Sequence, residues 1–432
     1  MFLDPVATHF AAEAEIVGLC DSSLVRAHFH RTRLQSKFNY GNVPAYAAGD
    51  FDRMLRETRP DFLVVCTIDS AHDRYIVSAL RAGCDVVTEK PMTISADRCH
   101  AILAAVRETG RTVRVAFNYR WSAGATKVRE LLSAGTIGPV KQITMEYLLN
   151  TSHGADYFRR WHARKGFSGG LLVHKSTHHF DLINWWIDAI PEQVFAHGTL
   201  AFYGRTNAVR RGDEKWARYP RYHGQAVNGD PFAYDYAQSM LQDPEYERNL
   251  YLGAAELESG YVRDRNVFGD DISIEDAMNV LVRYRGGALL NYSLNAFSPY
   301  EGYRVAFNGE RGRIEYTESH GAHILGQTDV GAEHAHAAGP LLQVFPHFKP
   351  SYRVAIEHVA GGHGGGDPLL QEQIFAVNPS PDPFHRSAGH EQGAASILVG
   401  IAANESIARS QPVTISELVS LRPDATRLSQ LI

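Results

Sequence analysis

Cysteine is scarce, with four residues in a chain of 432. Cys20, Cys66, Cys84 and Cys99 all lie in the first quarter, mostly inside apolar runs such as "FLVVCT". Their spacing matches no metal-binding motif, so they read as buried free thiols of a reducing compartment. Charge of one sign is not in excess either: 43 Lys and Arg stand against 48 Asp and Glu, a net charge of −5 at pH 7. That balance gives no reason to expect nucleic acid or an anionic membrane as a partner. Long hydrophobic runs are missing too, since no stretch approaches the ~18 uninterrupted apolar residues of a transmembrane helix. The first residues, Met1, Phe2, Leu3 and Asp4, carry no basic region of the kind that opens a signal peptide. A cytoplasmic location is therefore expected. Histidine is the opposite case: there are 21, most of them expected on the surface or in loops.

What is present is ordinary globular composition, 44% hydrophobic and 21% charged, at a length that suggests two domains. Residues 1–120 alternate short apolar runs with helical periods. Strands are expected at 13–20, just before Asp21, at 60–67, at "CDVVTEKP" and at "TVRVAFNYR". Helices are expected at "FDRMLRETR", at "AHDRYIVSALRAG" ending on Gly83, and at "SADRCHAILAAVRETG" between an N-cap at Ser95 and a stop at Gly110. Apolar strands separated by helices imply a parallel sheet covered on both faces. From about residue 121 the rhythm changes. A helix at "GATKVRELLSAG" leads to a longer alternating strand, "VKQITMEYLL". Residues 278–297 read as a hairpin around Arg285, Gly286 and Gly287, and "YRVAFNGERGRIEYTE" repeats the design. The expectation is an α/β chain: a Rossmann-type domain over 1–120, then an α+β domain over 121–432 with a large open antiparallel sheet. Residues 203–265 read as a partly helical insertion, 320–392 as mostly loop, and 394–409 as a C-terminal helix.

A doubly wound dinucleotide fold begins with a strand, a glycine loop, a helix and a second strand. Here the second strand is present, and Asp21 ends it where an acidic residue would bond the ribose hydroxyls of NAD. The first strand and its glycine loop are absent, and residues 1–12 look like the helix that follows them. One reading is that about 15 upstream residues are missing; the other is that the protein binds no dinucleotide. Either way the chain as written is expected to bind cofactor poorly, because the phosphate-cradling amides are absent.

Four motifs carry a resemblance over nearly the whole chain. They are Glu89-Lys90-Pro91, "VVCTIDSAH" (64–72), "AFNYRW" (116–121) and "GGLLVHKSTHHFDLINWW" (169–186). In this order and spacing they resemble the Gfo/Idh/MocA oxidoreductases. The resemblance implies NAD or NADP as cofactor, with NAD favoured by Asp21 although Arg26 lies near. Cofactor contacts are expected from Asp21, Thr67, His72, Glu89, Lys90 and Asn118. It implies a cis Lys90–Pro91 bond that aims the lysine into the cleft, and His178 in the place of the proton-relay histidine. His174 stands at i−4 on the same helix face, where many relatives carry an aspartate, and it is followed by Lys175. Lys90, His178 and His174 are the expected catalytic groups. Tyr119, Arg120, Arg160, Trp161, Lys175 and Asp181 are expected to touch substrate, with aromatic rings against a sugar's apolar face. Asp181 could also supply charge to His178 or orient His179.

The plainer readings are a solvated Lys90, a solvated loop over 153–170, and a hydrogen-bonded core role for His179. His174, His178, His179 and Asp181 also invite a zinc reading, but the sequence lacks a zincin's glutamate and the resemblance predicts no metal. The expected reaction is reversible oxidation of a secondary alcohol on a sugar, cyclitol or sugar derivative. In it His178 takes the hydroxyl proton and Lys90 hydrogen-bonds the substrate oxygen. Two alternatives stay open: an NAD-dependent glycoside hydrolase or lyase working by transient oxidation, and a non-catalytic sugar-binding relative. The strands at 278–297 and 303–316 are expected to carry apolar residues on both faces and to form a homodimer or homotetramer.

Overall fold

The computed structural model describes residues 1–432 except 228, 235–249, 323–338, 358, 360, 361 and 432. Five short parallel strands occupy the first part of the chain: β1 (Leu19–Asp21), β2 (Ala45–Ala47), β3 (Phe62–Val65), β4 (Asp85–Thr88) and β5 (Val113–Val115). They do not form one ladder. β1 and β2 pair only with each other, while β3, β4 and β5 form a separate sheet, edged by antiparallel β14 (Ala388–Gly389). The break between β1 and β3 is where the opening strand of a doubly wound sheet belongs. It also explains why β1 is three residues long rather than the expected 13–20, since a strand with one short partner has few ladder bonds.

The connecting helices follow the apolar periodicity. His72–Arg81 turns Ile76, Ala79 and Leu80 inward, and Ala96–Thr109 buries Cys99, Ile102 and Leu103 before Gly110 ends it at φ 66°. The sequence reading missed the helix Leu24–Phe38, whose apolar face is thin: only Ala27 and Leu34 are buried, and Ser23 caps it. Cys84 and Cys99 are buried as expected, but Cys66 is exposed at the end of β3. That correction follows from the broken ladder, which leaves β3 an edge.

The second sheet has nine strands in the order β13-β12-β11-β10-β6-β9-β8-β7-β15. Its members are β6 (Val140–Asn150), β7 (Pro191–Thr199), β8 (Ala277–Tyr284), β9 (Leu289–Ser298), β10 (Tyr300–Gly309), β11 (Gly312–Ala322), β12 (Leu341–Pro346), β13 (Tyr352–Val354) and β15 (Val413–Thr414). Both expected hairpins form, β8–β9 and β10–β11. The sheet is mixed rather than antiparallel, because β6 runs parallel to β9. The hairpin's first strand, β8, enters from the end opposite to β6, so the returning β9 lies parallel to β6, which hairpin patterns alone do not reveal. The described residues of 320–392 hold more regular structure than expected: they include β12, β13 and the segment Gly362–Phe375, which packs against Asn118–Trp121.

One face of the large sheet is core. Val280, Val282, Leu290, Tyr292 and Leu294 are buried there beside the helix Thr177–Trp186, all of whose residues are buried, and the C-terminal helix His390–Arg409. The other face shows Asn279, Leu281, Arg283, Leu289 and Asn291. It is thus mostly polar with two exposed leucines, not apolar on both faces. Among the described residues no helix is long and apolar enough to cross a membrane.

The C-terminal helix approaches the 171–174 segment so closely that only glycine fits at position 400: a Cβ there would lie 2.2 Å from the Leu172 carbonyl oxygen. Gly400→Ala is expected to destabilise the protein by about 1–3 kcal/mol, measured by chemical denaturation. An unchanged unfolding midpoint would contradict the packing.

Candidate active site

The site lies where the carboxyl ends of β3, β4 and β5 meet the large sheet. Each of these strands ends in a polar loop, the usual position for ligand-binding groups in open α/β sheets. Thr67 and Asp69 follow β3, Glu89 and Lys90 follow β4, and Asn118 and Tyr119 follow β5. The Lys90–Pro91 peptide is cis. His72 is 1% exposed, with Nε2 3.1 Å from the Thr67 carbonyl oxygen and Nδ1 2.8 Å from that of Pro91. Both ring nitrogens are therefore engaged within the protein, so His72 ties the loop down and does not face a ligand as the sequence suggested.

The facing wall is made by two short helices, Leu171–His174 and Thr177–Trp186. Gly169 and Gly170, at φ 70° and 78°, turn the chain into the first of them, in a region that favours glycine. Asn404 of the C-terminal helix donates to the Gly169 carbonyl at 2.6 Å and holds this turn. Lys175 and Ser176 separate the two helices, so His174 and His178 do not share one helix face as their spacing implied.

Lys90 crosses the cleft and donates from Nζ to the His174 carbonyl oxygen at 3.0 Å. Burial pushes its ammonium group down to about 8, against the pull of Asp69 and with the push of Lys175. His174 Nδ1 lies 2.5 Å from Asp69 Oδ2, with side-chain exposures of 12% and 4%. Burial pushes the Asp69 carboxyl up and the His174 imidazole down, and Oδ2 and Nδ1 share one short hydrogen bond. Asp69 escaped the sequence reading although it stands between two residues that reading named. Its signal is a carboxylate just past a parallel strand, which needs a partner from the other domain to become visible.

His178 stacks on Tyr119, with ring centroids 4.1 Å apart and planes 9° apart. Its Nδ1 is buried and has no hydrogen-bond partner among the described residues, and burial, Lys90 and Lys175 hold its basicity well below the ordinary range. Lys175 is buried and donates to the Tyr119 hydroxyl at 3.2 Å, with its ammonium 5.0 Å from the centre of the Tyr147 ring. Its first role is therefore to hold these rings. Trp161 stacks on His162 at 3.7 Å and meets His174 edge-on, so the aromatic run does line this cleft. Arg160 pairs with Asp156 at its margin. His153 and Glu301, 2.9 Å apart, were not foreseen; Tyr157 links them to the aromatic group through its hydroxyl, 3.1 Å from His153 Nε2.

Three expected contacts are corrected. Arg120 and Asp181 form a two-pronged ion pair, Nε–Oδ2 2.7 Å and Nη2–Oδ1 2.6 Å, with side chains 0% and 2% exposed. A pair so enclosed joins two elements and cannot touch a substrate, and Asp181 orients neither His178 nor His179. Asn118 is buried, and its amide nitrogen goes to His363 and Asp367, each at 3.0 Å, rather than into the cleft. His179 is a core residue, bonded to the Tyr292 hydroxyl at 2.7 Å. His174, His178, His179 and Asp181 thus each have different surroundings, and among the described residues no group of three metal-ligating side chains converges.

Asp21 bears on the cofactor. Its Oδ1 accepts from Ser23 N at 2.8 Å and from Arg26 Nε and Nη2 at 2.9 and 2.8 Å. Oδ2 takes no hydrogen bond among the described residues. A carboxylate with one free oxygen at the end of β1 fits a ribose diol, and the exposed Thr67 with Lys90 fits the nicotinamide end. The residues present therefore suit both ends of a dinucleotide.

A model described as "Oxidoreductase family, NAD-binding Rossmann fold" matches residues 1–117, and one described as "Oxidoreductase family, C-terminal alpha/beta domain" matches residues 129–415. The protein YteT of Bacillus subtilis (strain 168) is 36% identical, over 98% of this chain and 96% of its own. Inositol 2-dehydrogenase of Rhizobium meliloti (strain 1021) is 30% identical over 32% of this chain and 39% of its own. The crystal structure of aldose-aldose oxidoreductase from Caulobacter crescentus superposes with a TM-score of 0.59 at 16% identity, covering 96% of this chain and 98% of that one. With both domain models matched in order and the site assembled between them, the chain belongs to the Gfo/Idh/MocA family of NAD(P)-dependent oxidoreductases.

Proposed function

We propose that this oxidoreductase oxidises, and in reverse regenerates, a secondary alcohol on a sugar or cyclitol, with residues 1–120 holding the nucleotide and 121–432 the substrate. The observation that carries the reading is the meeting of the Lys90 ammonium with the 174–178 imidazoles in one cleft. The flanking Trp161 and Tyr119 rings suit the apolar face of a polyol ring, and the R. meliloti relative is named for an inositol. NAD(P) when bound supplies the hydride acceptor. Lys90 holds the substrate oxygen and stabilises the negative charge that grows on it, while an imidazole of the 174–178 turn takes the hydroxyl proton. The expected test is reduction of NAD+ or NADP+ followed at 340 nm with myo-inositol, scyllo-inositol and common aldoses. No turnover across cyclitols and sugars would overturn the reading.

NAD is favoured over NADP. Arg26 spends Nε and Nη2 on Asp21 and points Nη1 at Ser259 Oγ, 3.2 Å away, so no guanidinium fork is left for a 2′-phosphate. Calorimetric titration is expected to show tighter binding of NAD+ than of NADP+, with the preference narrowed in Asp21→Ser. Equal affinities in the unaltered protein would refute the preference. We also propose a homodimer or homotetramer through the exposed face bearing Leu281 and Leu289; a monomer by light scattering would refute this. The four unpaired thiols suit a reducing, cytoplasmic setting.

A further inference from the structure

Two imidazoles face the cleft, and their second nitrogens decide what each can do. In a neutral imidazole one nitrogen donates and the other accepts, and the hydrogen bond on one side sets the role of the other. His174 Nδ1 is held by Asp69 Oδ2 at 2.5 Å. An ionised Asp69 carboxylate can only accept, so opposite it His174 carries its hydrogen on Nδ1 and keeps the lone pair on Nε2. Nε2 makes no hydrogen bond among the described residues and is not among the enclosed atoms, so it faces the cleft. His178 is the reverse. Its Nδ1 is enclosed with no partner among the described residues. Burying an N–H there without an acceptor costs about 1–3 kcal/mol, so the neutral ring carries its hydrogen on Nε2 and presents a donor to the cleft. Protonating it would enclose an unpaired N–H and would place a cation near Lys90, Lys175 and His179, with no carboxylate in hydrogen-bonding reach among the described residues.

We propose that His174, not His178, is the group that takes the substrate proton, and that Asp69 is the positioning residue that makes it able to. The inference rests on the oxidoreductase reading above. In the oxidation the substrate O–H bond breaks and its proton passes to His174 Nε2. The carbon–hydrogen bond breaks with its electron pair, which leaves as hydride to the oxidised nicotinamide, and the oxygen closes a carbonyl. The positive charge formed on His174 is compensated by Asp69 across the short bond. His178 donates from Nε2 to a substrate oxygen and keeps its proton. The groups facing His174 are Asp69 from the loop after β3, Lys90 from the loop after β4, Tyr157, Arg160, Trp161 and His162 from the segment before the Gly-Gly turn, and Lys175 beside it.

The test compares Asp69→Asn, Asp69→Glu, His174→Gln and His178→Gln with the unaltered full chain. Proton NMR of the unaltered protein is expected to show a strongly downfield imidazole N–H that disappears in Asp69→Asn and in His174→Gln and persists in His178→Gln. This readout needs neither cofactor nor substrate. With NAD(P)+ and the best substrate of the cyclitol and sugar panel, Asp69→Asn and His174→Gln are each expected to lower kcat by roughly 10²–10⁴-fold with KM little changed. Both should abolish the acidic limb of the pH–rate profile, and Asp69→Glu should restore part of the rate. His178→Gln, which keeps a side-chain donor, is expected to lose less than about tenfold and to keep that limb. If the downfield resonance survives in His174→Gln, or the acidic limb disappears with His178 rather than His174, the assignment fails while the oxidoreductase reading stands. Failure of that reading would instead show as no turnover in the unaltered protein, and the resonance would still decide the Asp69–His174 pair.

Discussion

Lys90→Met is expected to lower kcat by roughly 10²–10⁴-fold while leaving the fold intact. Methionine keeps most of the stem that fills the space between β4 and the 171–174 helix but cannot donate to a substrate oxygen or offset charge growing on it. Lys90 is half-buried in the cleft, where such a donor acts more strongly than in water. A pH dependence follows. Burial pushes Lys90 down to about 8, so the donor form is present below that pH and is lost as pH rises through it. The unaltered enzyme should therefore lose kcat/KM above about pH 8, and Lys90→Met should not show this alkaline limb. Steady-state rates from pH 6 to 10, with circular dichroism to confirm folding, decide the matter. A variant with an unchanged rate would remove Lys90 from the chemistry.

Asp181→Leu should produce the largest loss of stability, about 3–5 kcal/mol, because it strands the Arg120 guanidinium in the core. Arg120 has 0% side-chain exposure, and besides Asp181 its partners are Gln392 Oε1 at 2.8 Å and the His385 carbonyl oxygen at 3.5 Å. Neither of these carries a compensating charge. The double variant Arg120→Met with Asp181→Leu removes both charges and should recover most of the loss, since apolar replacement of an entire buried ion pair is often neutral. Urea denaturation of the two single variants and the double variant measures the coupling. Simple addition of the single effects would show that the two side chains do not depend on each other. The pair joins the segment after β5 to the 177–186 helix, so it holds together the two walls that carry Tyr119 and His178.

Much of this architecture was legible along the chain because it rests on local periodicity. β4 is a short apolar run closed by Glu89-Lys90-Pro91, and the helix at 72–81 and the β8–β9 hairpin each carry their own apolar spacing and their own glycine stop or turn. The helix at 24–38 was not legible, because two buried residues make too thin a stripe. The lysine after β4 and the histidine-rich turn were recognisable as motifs. The mistakes among site residues share one cause. Arg120, Asp181, His72 and Asn118 are polar residues in motif positions, and a one-dimensional reading cannot separate a polar group aimed at a ligand from one satisfied inside the protein. Asp69 failed in the opposite sense, since its partner is 105 residues away on another domain.

Taken alone, the order of residues determined the two-part α/β plan, the strand ends that carry Thr67, Lys90 and Tyr119, and the family resemblance, because spacing and turn chemistry act over a few residues at a time. Tertiary structure alone decided which polar groups face the cleft. It sent Asp181 to Arg120, brought Asp69 to His174, and left one nitrogen of His178 without a partner among the described residues. The physical reason is that a side chain's charge and tautomer depend on what surrounds it in space, and burial between two domains places groups far apart in the chain within a single hydrogen bond of each other.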